Sequence, residues 1–170
     1  MHLAETTWPD AADAGADVAL LPVGSTEQHG PHAPLSTDTL SAEAVAAAGA
    51  DAYDGEVVVA PALPYGVSEE HRHFSGTLWL SPDTFRDAVR EVIESLAHHG
   101  WDRVVLVNGH GGNTDALREV AASVTREGVA YAVAFTWFDA IDPAEVGDGT
   151  NPDGMGHAGS VETSVVMHHA

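Results

Sequence analysis

Residues 24–38 read GSTEQHGPHAPLSTD and place Glu27, His29, His32 and Asp38 in one polar stretch that follows an apolar run. Carboxylate oxygens and imidazole nitrogens are the donors a divalent metal takes from a protein without thiolates. Glu27 and His29 stand two apart, and in an extended segment such residues point to the same side. Asp38 falls where a helix should begin, and there it serves as a cap, as a ligand, or as both. Its two oxygens allow it to bridge two ions. Gly24 and Gly30 let the backbone turn tightly around the ligands.

Two further segments have the same character. VNGHGGN (107–113) sets His110 among Gly109, Gly111 and Gly112, so the imidazole can approach a metal without crowding. The amides of Gly111 and Gly112 are candidate donors to a developing oxyanion. The rival reading of this loop is a phosphate cradle between strand and helix. It lacks the Walker lysine and the G-x-G-x-x-G spacing. HAGSVETS (157–164) holds His157, a candidate proton carrier, and Glu162, a carboxylate able to complete a metal shell or to act in catalysis. In GVSEEHRHFSGT (66–77), His71 and His73 have strand spacing, and one of them is expected to line the site mouth. Ser25 is not read as a nucleophile, because G-x-S-x-G is missing. His2, His98, His99, His168 and His169 have no supporting acids and are read as surface residues.

The elements that must position these residues alternate. Strands are expected at 17–23, 56–63, 103–108 and 129–137, and helices at 38–52, 81–100, 113–128 and from 159. Ser81 and Pro82 open the clearest helix and Gly100 ends it, with Val89, Val92, Ile93 and Leu96 on one face. Asn113 is expected to cap the next. Strand–helix alternation predicts one α/β domain over residues 1–170, with a mostly parallel sheet. Such sheets bind ligands at the carboxyl ends of their strands, where all three polar loops emerge. Glu27, His29, Asp38, His110 and Glu162 therefore converge. Five nitrogen and oxygen donors suit Zn, Mn or Fe, and are too many for one ion with an open position. Two ions bridged by Asp38 and a hydroxide fit better. Trp137 and Phe138 are read as core packing rather than a pocket roof.

Composition narrows the setting. The chain has 170 residues, no cysteine, 26 acidic residues and 6 basic ones, all arginine, for a net charge of −20. Thiolate chemistry is excluded, and nucleic acid lacks its basic footprint. The acids are spread along the chain, which suits a halophilic cytoplasm where salt screens their repulsion. No apolar stretch is long enough to span a bilayer, and the N-terminus lacks a secretory profile, so a cytoplasmic protein without a membrane partner is expected.

Four segments, LPVGSTEQHGPHAPLSTD, EEHRHFSGTL, VNGHGGN and HAGSVETS, resemble the creatininase family of metal-dependent amidohydrolases in content and order. The resemblance implies a three-layer α/β/α sandwich, one or two divalent ions, and oligomers, often hexamers. By it, Glu27, Asp38 and His110 match the ligands of one metal, and His29 with the bridging Asp38 match those of the other. His157 matches the histidine that carries a proton to the leaving nitrogen. Creatininase itself has a ligand Glu two residues after the motif His; Gly112 stands there here, and Glu162 is the candidate substitute. The GHGGN form resembles the formamidopyrimidine deformylase and mycofactocin-precursor peptidase branches. Family members usually continue past the ETS helix, so a short member or a fragment is expected.

The expected activity is hydrolysis of a non-peptide C–N bond in a small amide, formamide or cyclic amide, by attack of a metal-bound hydroxide. The alternatives are a mycofactocin-type metallopeptidase, a non-catalytic nucleotide- or metabolite-binding module, and an inactive truncated homologue.

Overall fold

The computed structural model describes residues 1–142 and 156–169. Its centre is a sheet of four strands, β1 (Val18–Val23), β2 (Val57–Val59), β3 (Arg103–Asn108) and β4 (Tyr131–Thr136), in the order β2-β1-β3-β4. All the pairings are parallel. A short α1 (Trp8–Ala12) precedes the sheet. The crossovers are α2 (Thr37–Ala52), α3 (Pro82–His98) and α4 (Thr114–Arg126), and α5 (Ser160–His169) follows. This is the expected α/β sandwich, with helices on both faces of the sheet.

Alternation along the strands sorts the side chains between two cores. Ala19, Leu21 and Val23 of β1 join Val58, Val104 and Leu106 against Phe85, Val89, Ile93 and Leu96 of α3 and Leu117, Val120 and Val124 of α4. Leu20, Val57, Val59 and Val107 face the other way, around Ala46 of α2. Helix α5 packs on α2. No helix among the described residues is long and apolar enough to cross a membrane.

Most expected elements form within a residue or two, and the departures have physical causes. The second strand stops at Val59 rather than residue 63, because Pro61 has no N–H to donate. The chain returns to β1 beyond it, where Leu63 donates to Pro22 O and accepts from Gly24 N. Asn113 does not cap α4 with its side chain. That amide accepts from Val67 N at 2.9 Å and donates to Gly24 O at 3.0 Å, tying three loops together. The short α1 was not foreseen. A 3-10 turn at Trp137–Ala140 follows β4, and residues 143–155 lie outside the described ones.

Ser81 does cap α3: its Oγ accepts from Thr84 N at 3.4 Å. Ser81→Ala is expected to lower stability by about 1 kcal/mol, read from the urea midpoint, with metal content unchanged.

The loop after β1 leads to α2 on one face, and the loop after the adjacent β3 leads to α4 on the other. Between two neighbouring strands whose connections diverge lies the crevice where such sheets bind ligands.

Candidate active site

Glu27 and His29 follow β1 and are fully buried, while Gln28 between them is only half-buried. Period-two alternation therefore holds beyond the strand end. Asp38 sits in the first turn of α2, 2% exposed, and its side chain turns towards His29 and His110. His110 follows β3, and Asn108 holds its backbone at both ends, accepting from His110 N at 3.1 Å and donating to His110 O at 2.8 Å. Gly109 is required by space: a Cβ there would lie 2.1 Å from Asp38 O. One on Gly112 would lie 2.2 Å from Val67 O, so no larger residue fits that backbone. Around Gly111 there is open space. Close packing against backbone carbonyls thus requires glycine at two of these three positions.

His110 Nδ1 lies 3.3 Å from Glu27 Oε1 and 3.1 Å from Asp38 Oδ2. Donors bound to one ion at ~2.0–2.2 Å stand roughly 3.0–3.6 Å apart, so these spacings suit a shared ion. His29 Nε2 lies 2.9 Å from Asp38 Oδ1 and 3.7 Å from Glu162 Oε2. The approach of His29 to Asp38 is not aligned as a hydrogen bond. Glu27 Oε1, His29 Nε2 and Asp38 Oδ2 are buried without hydrogen-bond partners.

The opposite ring atoms explain the pattern. His110 Nε2 donates to Val67 O at 2.9 Å, and His29 Nδ1 donates to Glu27 O at 3.2 Å. In its neutral form each ring then aims a lone pair at carboxylate oxygens, where either a second ring proton or a cation fits between them. Glu27 Oε2 is occupied, accepting from Ser25 Oγ at 3.2 Å, which leaves Oε1 for the ion. The residues fit a divalent metal. Glu27, Asp38 and His110 form one group of donors, and His29, His157 and Glu162 another.

The last two arrive with the segment that begins at 156. Ala158 adopts φ 55°, and its N–H donates to Glu162 Oε2 at 2.7 Å. His157 Nε2 donates to Gln28 O at 2.7 Å, leaving Nδ1 3.5 Å from Glu27 Oε1. The same Nε2 lies 2.9 Å from Gln28 Nε2. A carbonyl oxygen can only accept, so the shorter contact decides where the proton sits.

The charges are strongly coupled. Burial pushes the Glu27 carboxyl up to about 7, against the pull of His110. Burial also opposes charge on His110, but Asp38 and then Glu27 outweigh it and hold the imidazole up at about 9. For Asp38, burial is overcome by the two flanking imidazoles, and its pKa falls. His29 is raised because Asp38 overrides burial; Glu162 is raised by burial itself. His157 is lowered by burial and then by His29. Protons and divalent cations compete for the same gaps, and a bound cation favours the deprotonated form of each group.

A cavity of about 310 Å³ opens over these donors, lined also by Glu70, His71, Gly111, Gly112 and Phe138. His71 lies in a 3-10 turn, not a strand, and His73 is exposed. His32 is exposed too, with Nε2 3.2 Å from Thr163 Oγ1. Trp137 is buried as expected, but its neighbour Phe138 lines the cavity. Sequence reasoning missed Gln28, Ser68 and Glu70 and gave Asn108 no role. No spacing rule marks residues whose part is to hold a ligand rather than to be one.

Fold and site together define an α/β protein whose sheet-end crevice carries the donor set of a metal centre. The family described as Creatininase, creatinine amidohydrolase, matches residues 4–170, and the chain belongs to that family. It is 39% identical over 171 residues to a mycofactocin precursor peptide peptidase of Mycobacterium ulcerans (strain Agy99), covering 96% of this chain and 59% of that protein. It is 32% identical over 187 residues to a creatinine amidohydrolase of Pseudomonas putida, covering 98% and 71%. Among solved structures, one named Creatininase Mn superimposes with a TM-score of 0.77 at 32% identity, covering 96% of this chain and 70% of that one. The chain thus spans less than two thirds of the length of the peptidase relative.

Proposed function

We propose that this chain carries the centre of a metal-dependent hydrolase that cleaves an amide-type C–N bond. The observation behind this reading is the convergence of buried, unpartnered Glu27 Oε1 and Asp38 Oδ2 at the wall of a cavity, with unpartnered His29 Nε2 2.9 Å behind Asp38 Oδ1. Glu27, Asp38 and His110 would hold one divalent ion, and His29, Asp38 and Glu162 a second. Bound there, Zn, Mn or Fe would supply Lewis acidity and lower the pKa of a coordinated water. Glu162 takes the place of a carboxylate at position 112, where the backbone admits only glycine.

The chain's own groups do the rest. His157 Nδ1, its lone pair freed by the Nε2–H bond to Gln28 O, takes the proton of the attacking water and returns it to the departing nitrogen. The Gly111 and Gly112 amides at the cavity wall donate to the oxyanion. Phe138 excludes water from one side. A cavity of this size favours a small non-peptide amide, formamide or cyclic amide. A second reading, cleavage near the end of a short peptide, is favoured by the 39% identity to a peptide peptidase. The halophilic setting and a homo-oligomer, a hexamer by family likeness, are part of the same proposal.

Elemental analysis of protein purified in high salt without chelator, followed by a panel of formamides, cyclic amides and short peptides, tests it. About two equivalents of Zn, Mn or Fe per chain and turnover that chelator abolishes are the expected result. A chain that takes up no metal on reconstitution would sink the proposal. Turnover confined to peptides would select the second reading.

A further inference from the structure

We infer that His71 is a hydrogen-bond donor of the site, presenting Nε2–H to an acceptor oxygen of the substrate, and that Gln28 sets this tautomer. The presence of a substrate rests on the hydrolase reading; the tautomer does not. The starting point is the Gln28 side chain. Gly30 N–H donates to its Oε1 at 2.9 Å, which fixes the amide and leaves its NH2 group on the other side. That NH2 lies 2.9 Å from His157 Nε2, whose own proton goes to Gln28 O, and 3.1 Å from His71 Nδ1, so of the two rings His71 is the one left to accept from it. An amide nitrogen only donates, so Nδ1 accepts and the ring proton sits on Nε2.

Nε2 faces Glu27 Oε1 at 3.6 Å, beyond hydrogen-bond length, and the ring lines the cavity. Its N–H is therefore left for a ligand. The ring is also held in place. It stacks on His157 with centroids 4.6 Å apart and an interplanar angle of 21°. Its backbone N–H donates to Ser68 O at 3.0 Å, and its carbonyl accepts from Thr77 Oγ1 at 3.1 Å.

Comparison among the four imidazoles makes the point. His29, His110 and His157 each give a ring N–H to a backbone carbonyl, which leaves the inward nitrogen as the one able to release its proton to a metal. His71 does the reverse: its lone pair is taken by Gln28 and its proton points inward. The donor atoms of Glu27, His71 and His157 lie close enough for a metal, yet His71 offers a proton there, not a pair of electrons. An acceptor oxygen is the ligand group that matches an inward N–H, and the reacting amide supplies one that gains negative charge. His71 is then a substrate-contacting residue and Gln28 a positioning residue acting through it.

The imidazole 15N shifts report the protonation of each ring nitrogen directly in metal-free and zinc-loaded protein at about pH 8. His71 should show Nε2–H in both states. Gln28→Ala should convert it to a tautomer mixture, and zinc should move the inward nitrogens of His29 and His110 but not that of His71. A proton on Nδ1, or a zinc-induced shift at His71 Nε2, would overturn the assignment. Acetate binding to the zinc-loaded protein tests the donor role. His71→Phe should weaken it about ten-fold, and His71→Gln, which keeps an N–H, should restore most of it. Equal affinity in His71→Phe would refute that role. If the chain takes up no zinc, the hydrolase reading and the donor role fall together, while the metal-free spectrum still decides the tautomer.

Discussion

Replacing Asp38 by Ala should reduce metal content to near zero in protein that otherwise holds it. Asp38 turns its two oxygens to two different imidazoles, Oδ1 towards His29 and Oδ2 towards His110. In the proposed two-ion centre, loss of its side chain would remove a ligand from both ions at once. Changes to residues that merely support ligands cost about 10–100-fold in metal affinity or activity, and loss of a bridging ligand should exceed that. Stability should fall as well. In the metal-free protein the Asp38 carboxylate offsets charge on two buried imidazoles, and removing one partner of a buried pair costs about 3–5 kcal/mol. Asp38→Asn keeps the shape but not the charge, and it should lose metal as fully as Asp38→Ala. Elemental analysis and denaturant melts of both variants separate the two effects. Two equivalents retained in either would remove Asp38 from the centre.

Gly109→Ala should damage both fold and metal site, although residue 109 is no ligand. The added Cβ would meet Asp38 O at 2.1 Å and Ala42 Cβ at 3.3 Å. Backbone cannot yield as a flexible side chain does, so the first turn of α2 must move. Overpacking of this kind costs about 1–3 kcal/mol, and here the displaced turn carries Asp38. Gly111→Ala is the matched comparison, since nothing lies within 4 Å of its added methyl. Its stability should stay within about 1 kcal/mol of the parent. Urea midpoints and zinc affinity for the two variants give the result. Equal behaviour would mean that β3 and α2 do not approach as closely as the structure places them.

Much of this was legible in the residues. The apolar runs at 18–23 and 103–108 could only be buried strands, and period two carried on far enough to put Glu27 and His29 on one side. The face of Val89, Ile93 and Leu96 fixed how α3 packs. The loops could be brought together on paper because a parallel sheet sends them all to one end. What spacing could not convey was contact between distant residues. Asn113 reads locally as a cap, but the local bond lost to Val67 and Gly24, which lie far away in sequence. Gln28 reads as a spacer between two ligands, yet its amide and carbonyl serve His71 and His157. His71 and His73 read as a strand pair, and a 3-10 turn separated their directions.

The Asn113 side chain has one more consequence. It joins the loop after β1, the segment at Val67 and the start of α4 in a single fastening beside the site. Three of the proposed ligands, Glu27, His29 and His110, therefore stand on backbone whose relative motion is already restrained before any ion arrives. Ion capture at this half becomes an encounter with a ready-made receptor, its rate set by diffusion and water exchange rather than by chain rearrangement. Glu162 approaches from α5, which rests on α2 and has no share in that fastening. The two ions would then differ in lifetime: a long residence beside Glu27 and His110, and a faster exchange beside His29 and Glu162.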